Sequence, residues 1–138
     1  MKNKFITFIL IYFVFNSLAF SQEFIFKTKK IEITENGNSI NATNGKVISG
    51  DGNLEIRADK FKYNKNKNIL NIYGNGIITI KSQNLEIFFN NSVINQNNST
   101  IQANGDVKVL DKKKKFEIKS DSIFYDQNQN YIKSDTKT

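Results

Sequence analysis

Apolar and polar residues alternate along this chain in short stretches. The apolar positions pair as Ile31/Ile33, Leu54/Ile56/Ala58, Phe61/Tyr63, Leu70/Ile72, Ile78/Ile80, Leu85/Ile87/Phe89, Val107/Val109, Phe116/Ile118 and Ile123/Tyr125. A period of two predicts strands with one buried face. Between them lie clusters rich in Asn, Asp and Gly, at 35–38, 50–53, 64–68, 95–99 and 126–130. Asn-Gly and Asp-Gly tolerate the positive φ angles of tight turns between strands. No stretch has helical periodicity. Strands every 8–12 residues or so are the spacing of antiparallel sandwiches and barrels, and the expected class is all-β.

A longer period lies over the short one. Leu54-Glu55-Ile56 returns as Leu85-Glu86-Ile87 and again as Phe116-Glu117-Ile118, each time after 31 residues. In that register Asp59, Asn90 and Asp121 coincide, as do Tyr63, Ile94 and Tyr125, then Leu70, Ile101 and Ile132, and Gly74 with Gly105. Units of about 31 residues are the implied building block. An outlying Ile31-Glu32-Ile33 lies 23 residues before the first triplet, so the unit ahead of it reads as abbreviated. The last unit reads as incomplete at its end.

Within each unit the apolar phase slips. Leu54, Ile56 and Ala58 are even, whereas Phe61 and Tyr63 are odd; the other two units repeat the change. A one-residue slip would turn the rest of a strand inside out, unless an extra residue is accommodated in a bulge or corner. Asp59, Asn90 and Asp121 are therefore expected to mark bends. Two short strands joined by a tight turn is the other arrangement that fits. Gly74 and Gly105, inside strand-like segments, predict a bulge or a close backbone approach. Glu55, Glu86 and Glu117 alternate away from their apolar neighbours, which puts them on the wet face beside Arg57 and Lys119. A catalytic carboxylate pair needs one acid held in an apolar pocket, so these are read as surface charge.

Composition narrows the chemistry. The chain lacks His, Cys, Trp and Pro. Imidazole or thiolate metal sites, Ser-His and Cys-His nucleophile pairs and disulfides are therefore excluded. No catalytic residue, metal ligand or cofactor is expected. The 20 basic and 13 acidic side chains give a net charge of +7. The lysines are scattered, with one run at Lys112–Lys115 that reads as a solvated loop. Nucleic acid is not an expected partner.

Lys2 and Lys4 precede an apolar stretch from Phe5 to Phe20, and the small residues Ala19 and Ser21 follow. This is the order of a cleaved signal peptide over residues 1–21, leaving 22–138 as one exported domain. The alternative, a membrane anchor, calls for about 20 apolar residues, more than this run supplies.

Several of these features together resemble the OstA-like, or LptA, family. An Ala-Asp or Ser-Asp after the first strand is followed by Tyr four residues on, an Asn-rich turn, a strand, then Gly-Asn or Gly-Asp and a further strand. Residues 58–80 match this order best, 120–135 match its first half, and 91–109 are a looser copy with Asn90 for Asp and Ile94 for Tyr. The likeness extends over about Ile31 to Asp135. It implies an open β-jellyroll of antiparallel strands in two sheets, the fold of LptA and of the periplasmic parts of LptD and LptC. It also implies a periplasmic carrier that binds lipopolysaccharide through lipid A, with acyl chains between the sheets. The implied partners are LptC and the ABC exporter complex at the inner membrane and LptD with LptE at the outer membrane. Head-to-tail self-association through edge strands is implied too. The residues expected to line a lipid groove are Ile56, Phe61, Tyr63, Ile72, Ile78, Ile87, Phe89, Ile94, Val107, Val109, Ile118, Ile123 and Tyr125, with lysines near its mouth meeting lipid phosphates. The same side chains equally suit a dry core. A structural or adhesive β-solenoid also fits a 31-residue β repeat; it would stack Asn or Tyr ladders and would lack the phase slip.

Overall fold

The computed structural model describes residues 23–135. The expected signal peptide lies outside them. Eight strands follow one another: β1 (Ile25–Thr34), β2 (Ser39–Ile48), β3 (Leu54–Asn64), β4 (Ile69–Ile80), β5 (Leu85–Asn95), β6 (Thr100–Asp111), β7 (Phe116–Asp126) and β8 (Tyr131–Asp135). They form a single sheet in chain order, each strand antiparallel to the next. Antiparallel pairing of chain neighbours is a meander. It overturns the solenoid reading, in which successive rungs stack in parallel.

Apart from two 3-10 turns at Glu35–Gly37 and Lys81–Gln83, no helix occurs among the described residues. No second layer is therefore available to cover the apolar face, yet Ile56, Phe61, Ile72, Ile78, Ile87 and Val109 have no exposed surface at all. The sheet covers itself. Each long strand is creased in the middle, and the two halves of the sheet face one another. The near arm carries Leu54–Ala58 and its neighbours, and the far arm carries Lys60–Asn64 and its neighbours. Phe24, just ahead of β1 on the near side, meets Tyr63 of the far arm edge-on, with ring centroids 5.2 Å apart. Both arms contribute to one apolar cluster.

The crease is written in the ladder. The pairing skips a row formed by Lys29, Asn44, Asp59, Gly74-Asn75, Asn90, Gly105-Asp106 and Asp121. Asp59, Asn90 and Asp121 thus sit at the bends, within strands that run on unbroken. Strands β1, β2, β3, β5 and β7 each turn one residue out of the ladder, which produces the phase slip. Strands β4 and β6 turn out two, so their alternation keeps its parity. Between one-residue and two-residue neighbours the register shifts by one. Between β1, β2 and β3 it does not shift.

This corrects the reading of the first unit. Ile31 and Ile33 belong to the far half of β1 and are not counterparts of Leu54 and Ile56. The counterpart of Leu54 is Phe24, which is buried and 30 residues earlier. That unit is one residue shorter than the others because Asn44 stands alone where Gly74-Asn75 and Gly105-Asp106 are pairs.

The two-residue creases need glycine. Gly74 has φ +82° and Gly105 φ +83°, followed by Asn75 and Asp106 at +48° and +45°. Asp59 lies against Gly74 so closely that an added Cβ would come within 2.6 Å of its Oδ2, and Asn90 meets Gly105 in the same way. Asn75 Nδ2 donates to Asp59 Oδ2 at 3.0 Å, tying β4 to β3 across the bend.

Turns at the two tips are also bonded to one another. Lys65 N donates to Asn38 O, Gln96 N to Asn68 O and Gln127 N to Ser99 O at the far tip. Lys81 N to Asn53 O and Lys112 N to Asn84 O do the same at the near tip. Asn68 Nδ2 also donates to Asn97 Oδ1, so some asparagine stacking accompanies the phase slip.

Gly74→Ala is expected to cost roughly 1–2 kcal/mol from backbone conformation alone, plus the overlap with Asp59. In urea unfolding, placing it on an Asp59→Ala background should recover the overlap and leave the conformational part. A Gly74→Ala variant within about 0.5 kcal/mol of the parent, the range of an inert surface change, would rule out this account of the crease.

Candidate functional site: the interior between the arms

Every residue expected to line a groove faces the space between the arms. All are buried except Ile118, which is half-buried. Near-arm strands supply Ile56, Ile78, Ile87, Phe89, Val107, Val109 and Ile118. Far-arm strands supply Phe61, Tyr63, Ile72, Ile94, Ile123 and Tyr125. They are brought together in one cluster, joined by Phe24, Val47, Leu70, Ile80, Leu85 and Ile101. Phe24 and Val47 lie in segments where no strand was expected.

Phe116 departs from expectation. Its counterparts Leu54 and Leu85 are each 5% exposed, whereas Phe116 is 40% exposed. Strand β8 pairs with Ser122–Asp126, and among the described residues no strand pairs with the near half of β7 on that side. Phe116 and Ile118 lie there. At the opposite end Ile31 and Ile33, cross-strand from buried Ala42 and Ile40, are also exposed. Among the described residues, inner-face apolar groups are thus exposed on both β1 and β7.

Polar chemistry inside is sparse. Tyr63 Oη donates to Gln96 Oε1 at 2.8 Å and Tyr125 Oη to Asn130 Oδ1 at 2.9 Å, both where the far arm meets its turns. Ser92 Oγ donates to Gln102 O. No buried side-chain polar atom is left without a partner among the described residues. Apolar side chains make up nearly all of this interior.

The repeated glutamates lie on the outer face. Glu55 is within 3.4 Å of Lys46, 3.3 Å of Arg57 and 3.7 Å of Lys81. Partial burial pushes the Glu55 carboxyl upward, but the Lys46 hydrogen bond and the Lys46, Lys81 and Arg57 charges outweigh it and hold it below its ordinary value. That is opposite to the shift a general acid requires. Glu86 pairs with Lys112, and Glu117 with Lys119. No metal-holding cluster of acidic residues occurs among the described residues. A hollow of about 540 Å³ opens beside the crease between Phe88, Lys108, Lys119, Asp106 and Asp121. There Lys108 Nζ lies 4.6 Å from the centre of the Phe88 ring, and the two lysines face two aspartates.

A similar fold occurs in a solved structure. LptH of Pseudomonas aeruginosa, the LptA-homologous periplasmic component of the lipopolysaccharide transport device, superposes with a TM-score of 0.71 over 84% of each chain. This is the LptA jellyroll fold. At 11% sequence identity the likeness is one of fold. No protein-family model matches the chain, and no curated protein matches it. Where the resemblance implies two sheets, this LptA-type fold has one hydrogen-bonded sheet whose arms act as two.

The two interior phenols give a pH test. Burial raises the pKa of Tyr63 and of Tyr125 above the ordinary 10.0, with the Glu23 and Asp126 charges adding to the respective shifts. A phenol that ionises later in the folded state contributes stability below pH 10 and loses it as pH rises through the folded value. The urea midpoint should therefore fall more steeply above about pH 10 in the parent than in a Tyr63→Phe/Tyr125→Phe variant. Equal alkaline slopes would rule this out.

Proposed function

We propose that the chain is a non-enzymatic periplasmic carrier of lipopolysaccharide, one module of a bridge between the inner and outer membranes. The observation that carries this is the interior: one buried apolar cluster held between two arms of a sheet, in the fold of a known lipopolysaccharide-transport component. Acyl chains are the ligand that such a space suits. When the arms part, side chains such as Phe61 and Ile87 lose cover, and an acyl chain restores it at about 0.8 kcal/mol per buried CH₂.

The partners follow from the same reading. A module of this kind receives lipid from LptC and the ABC exporter and passes it toward LptD and LptE, whether as an LptA-like protein or as the N-terminal domain of an LptD-like one. The edges of β1 and β8, which no other described strand pairs, are suited to strand addition by a neighbouring module or a second copy.

A photo-crosslinking residue placed at Phe61 or Ile87 is expected to capture lipopolysaccharide in cells, and one at Glu55 or Glu86 is not. Equal capture from both faces, or none from the interior, would overturn the carrier reading.

A further inference from the structure

The sheet has two outer faces, one on each arm, and they differ in chemistry. On the near arm, β5, β6 and β7 turn Glu86, Lys108, Glu117 and Lys119 outward, and β3 adds Glu55 and Arg57. Ion pairs link most of these to one another or to Lys46, Lys81 and Lys112. The far arm is different. Across β4, β5, β6 and β7 the ladder lines up Tyr73, Asn91, Asn104 and Ser122 in one outward row. Asn71, Val93, Gln102 and Phe124 form the next. Neither row holds a charged side chain. Charge returns only at the margins, with Lys60 and Lys62 on β3 and Lys133 and Asp135 on β8. Both rows are flanked by a further strand on each side, so their exposure does not depend on the edges of the sheet.

The fold makes no use of what these rows carry. Tyr73 is 40% exposed, and Val93 and Phe124 are each 37% exposed, although buried positions flank all three. Asparagine is depleted in strands, yet Asn71, Asn91 and Asn104 all lie within them. The side-chain amides of these three and of Gln102 make no hydrogen bond among the described residues. Each therefore keeps its donors and its acceptor available.

We propose that the outer face of the far arm is a glycan-binding face, on which a neutral polysaccharide chain lies across β4–β7. This is separate from the carrier reading, which concerns the opposite face of the same strands. A pyranose has two kinds of surface. Its C–H groups pack against the negative face of an aromatic ring, and its hydroxyls both donate and accept. Tyr73 and Phe124 supply the rings. The amides match the hydroxyls because they too donate and accept, whereas an ammonium only donates and a carboxylate only accepts. Tyr73 and Phe124 stand three strands apart, about 14 Å, so they reach different sugars of one chain, with Asn91, Asn104 and Gln102 between them. An anionic chain would find no counter-charge in these rows. An apolar protein surface would leave four amides buried and unpaired, which is costly.

The test uses the full chain and three probes: oligomers of glucose, of N-acetylglucosamine and of glucuronate. The neutral oligomers are expected to bind and to shift the side-chain amide NMR signals of Asn71, Asn91, Gln102 and Asn104; the glucuronate oligomer is not. Tyr73→Ala/Phe124→Ala should weaken neutral-oligomer binding about tenfold or more, at a factor of roughly two to ten for each ring. Asn71→Asp/Gln102→Glu keeps the shape of the face, removes amide donors and should weaken binding as well. Lys108→Gln/Lys119→Gln, on the near arm's outer face, should leave it unchanged. Urea unfolding verifies that every variant is folded under the binding conditions.

A parent that binds neither neutral oligomer would overturn the proposal, as would a folded ring variant that binds like the parent. A preference for glucuronate that salt abolishes would assign binding to lysines elsewhere and overturn it too. If no oligomer binds and the ring variant instead lowers the parent's molar mass in sedimentation, the face is a contact between copies of this chain. Capture of lipopolysaccharide by the interior is expected to be the same in the ring variant and the parent, so the carrier reading stands or falls separately.

Discussion

A single sheet with one apolar face and no other layer has only itself to bury that face against. Everything else in this molecule follows from that constraint. The strands must be long enough to serve two arms, each must bend at the same level, and the bend must not send either half of a strand to the wrong side. Turning residues out of the ladder meets all three requirements at once. Where one residue leaves, the alternation changes parity; where two leave, glycine must supply the left-handed conformation and the room for the facing Asp59 or Asn90. The core and the absence of unsatisfied buried polar side-chain atoms among the described residues are both consequences of folding a sheet over on itself.

Much of this was legible in the sequence, because period-two alternation and Asn-rich turns are local signals. The phase slip at Asp59, Asn90 and Asp121 placed the crease, and Gly74 and Gly105 marked the close approach. Strand β2 was missed. Its inner residues Ile40, Ala42 and Val47 are split by Asn44-Gly45, a pair that reads as a hairpin turn and is here a crease in mid-strand. Ile31 and Ile33 were misassigned for a related reason: a triplet of the right composition occurs in the far half of a strand as well as the near half. The exposure of Phe116 could not be read locally, since it depends on how far β8 reaches along β7.

The interior that the structure describes is closed, yet it is closed by two arms that share no strand edge. Side chains meet across the gap by packing alone, as Phe24 and Tyr63 do, while the hydrogen bonds run within the sheet and along the turns at its tips. Parting the arms would break contacts that a hydrocarbon chain can replace and would leave the ladder intact. Non-directional burial holds the two arms together, and directional bonds hold each arm in shape. That division of labour suits a protein that must admit a flexible apolar guest without unfolding.

The unequal creases also bear on how such a chain can change in length. A residue added or removed within an arm inverts every side chain from there to the next turn. A residue added or removed at the crease disturbs neither arm, because residues turned out of the ladder count toward no face. The 30-residue first unit and its 31-residue successors differ at this joint, Asn44 against Gly74-Asn75. The crease is thus a length-tolerant seam: copies of this unit need not keep a fixed spacing, and the spacing that first draws the eye is the least constrained part of the pattern.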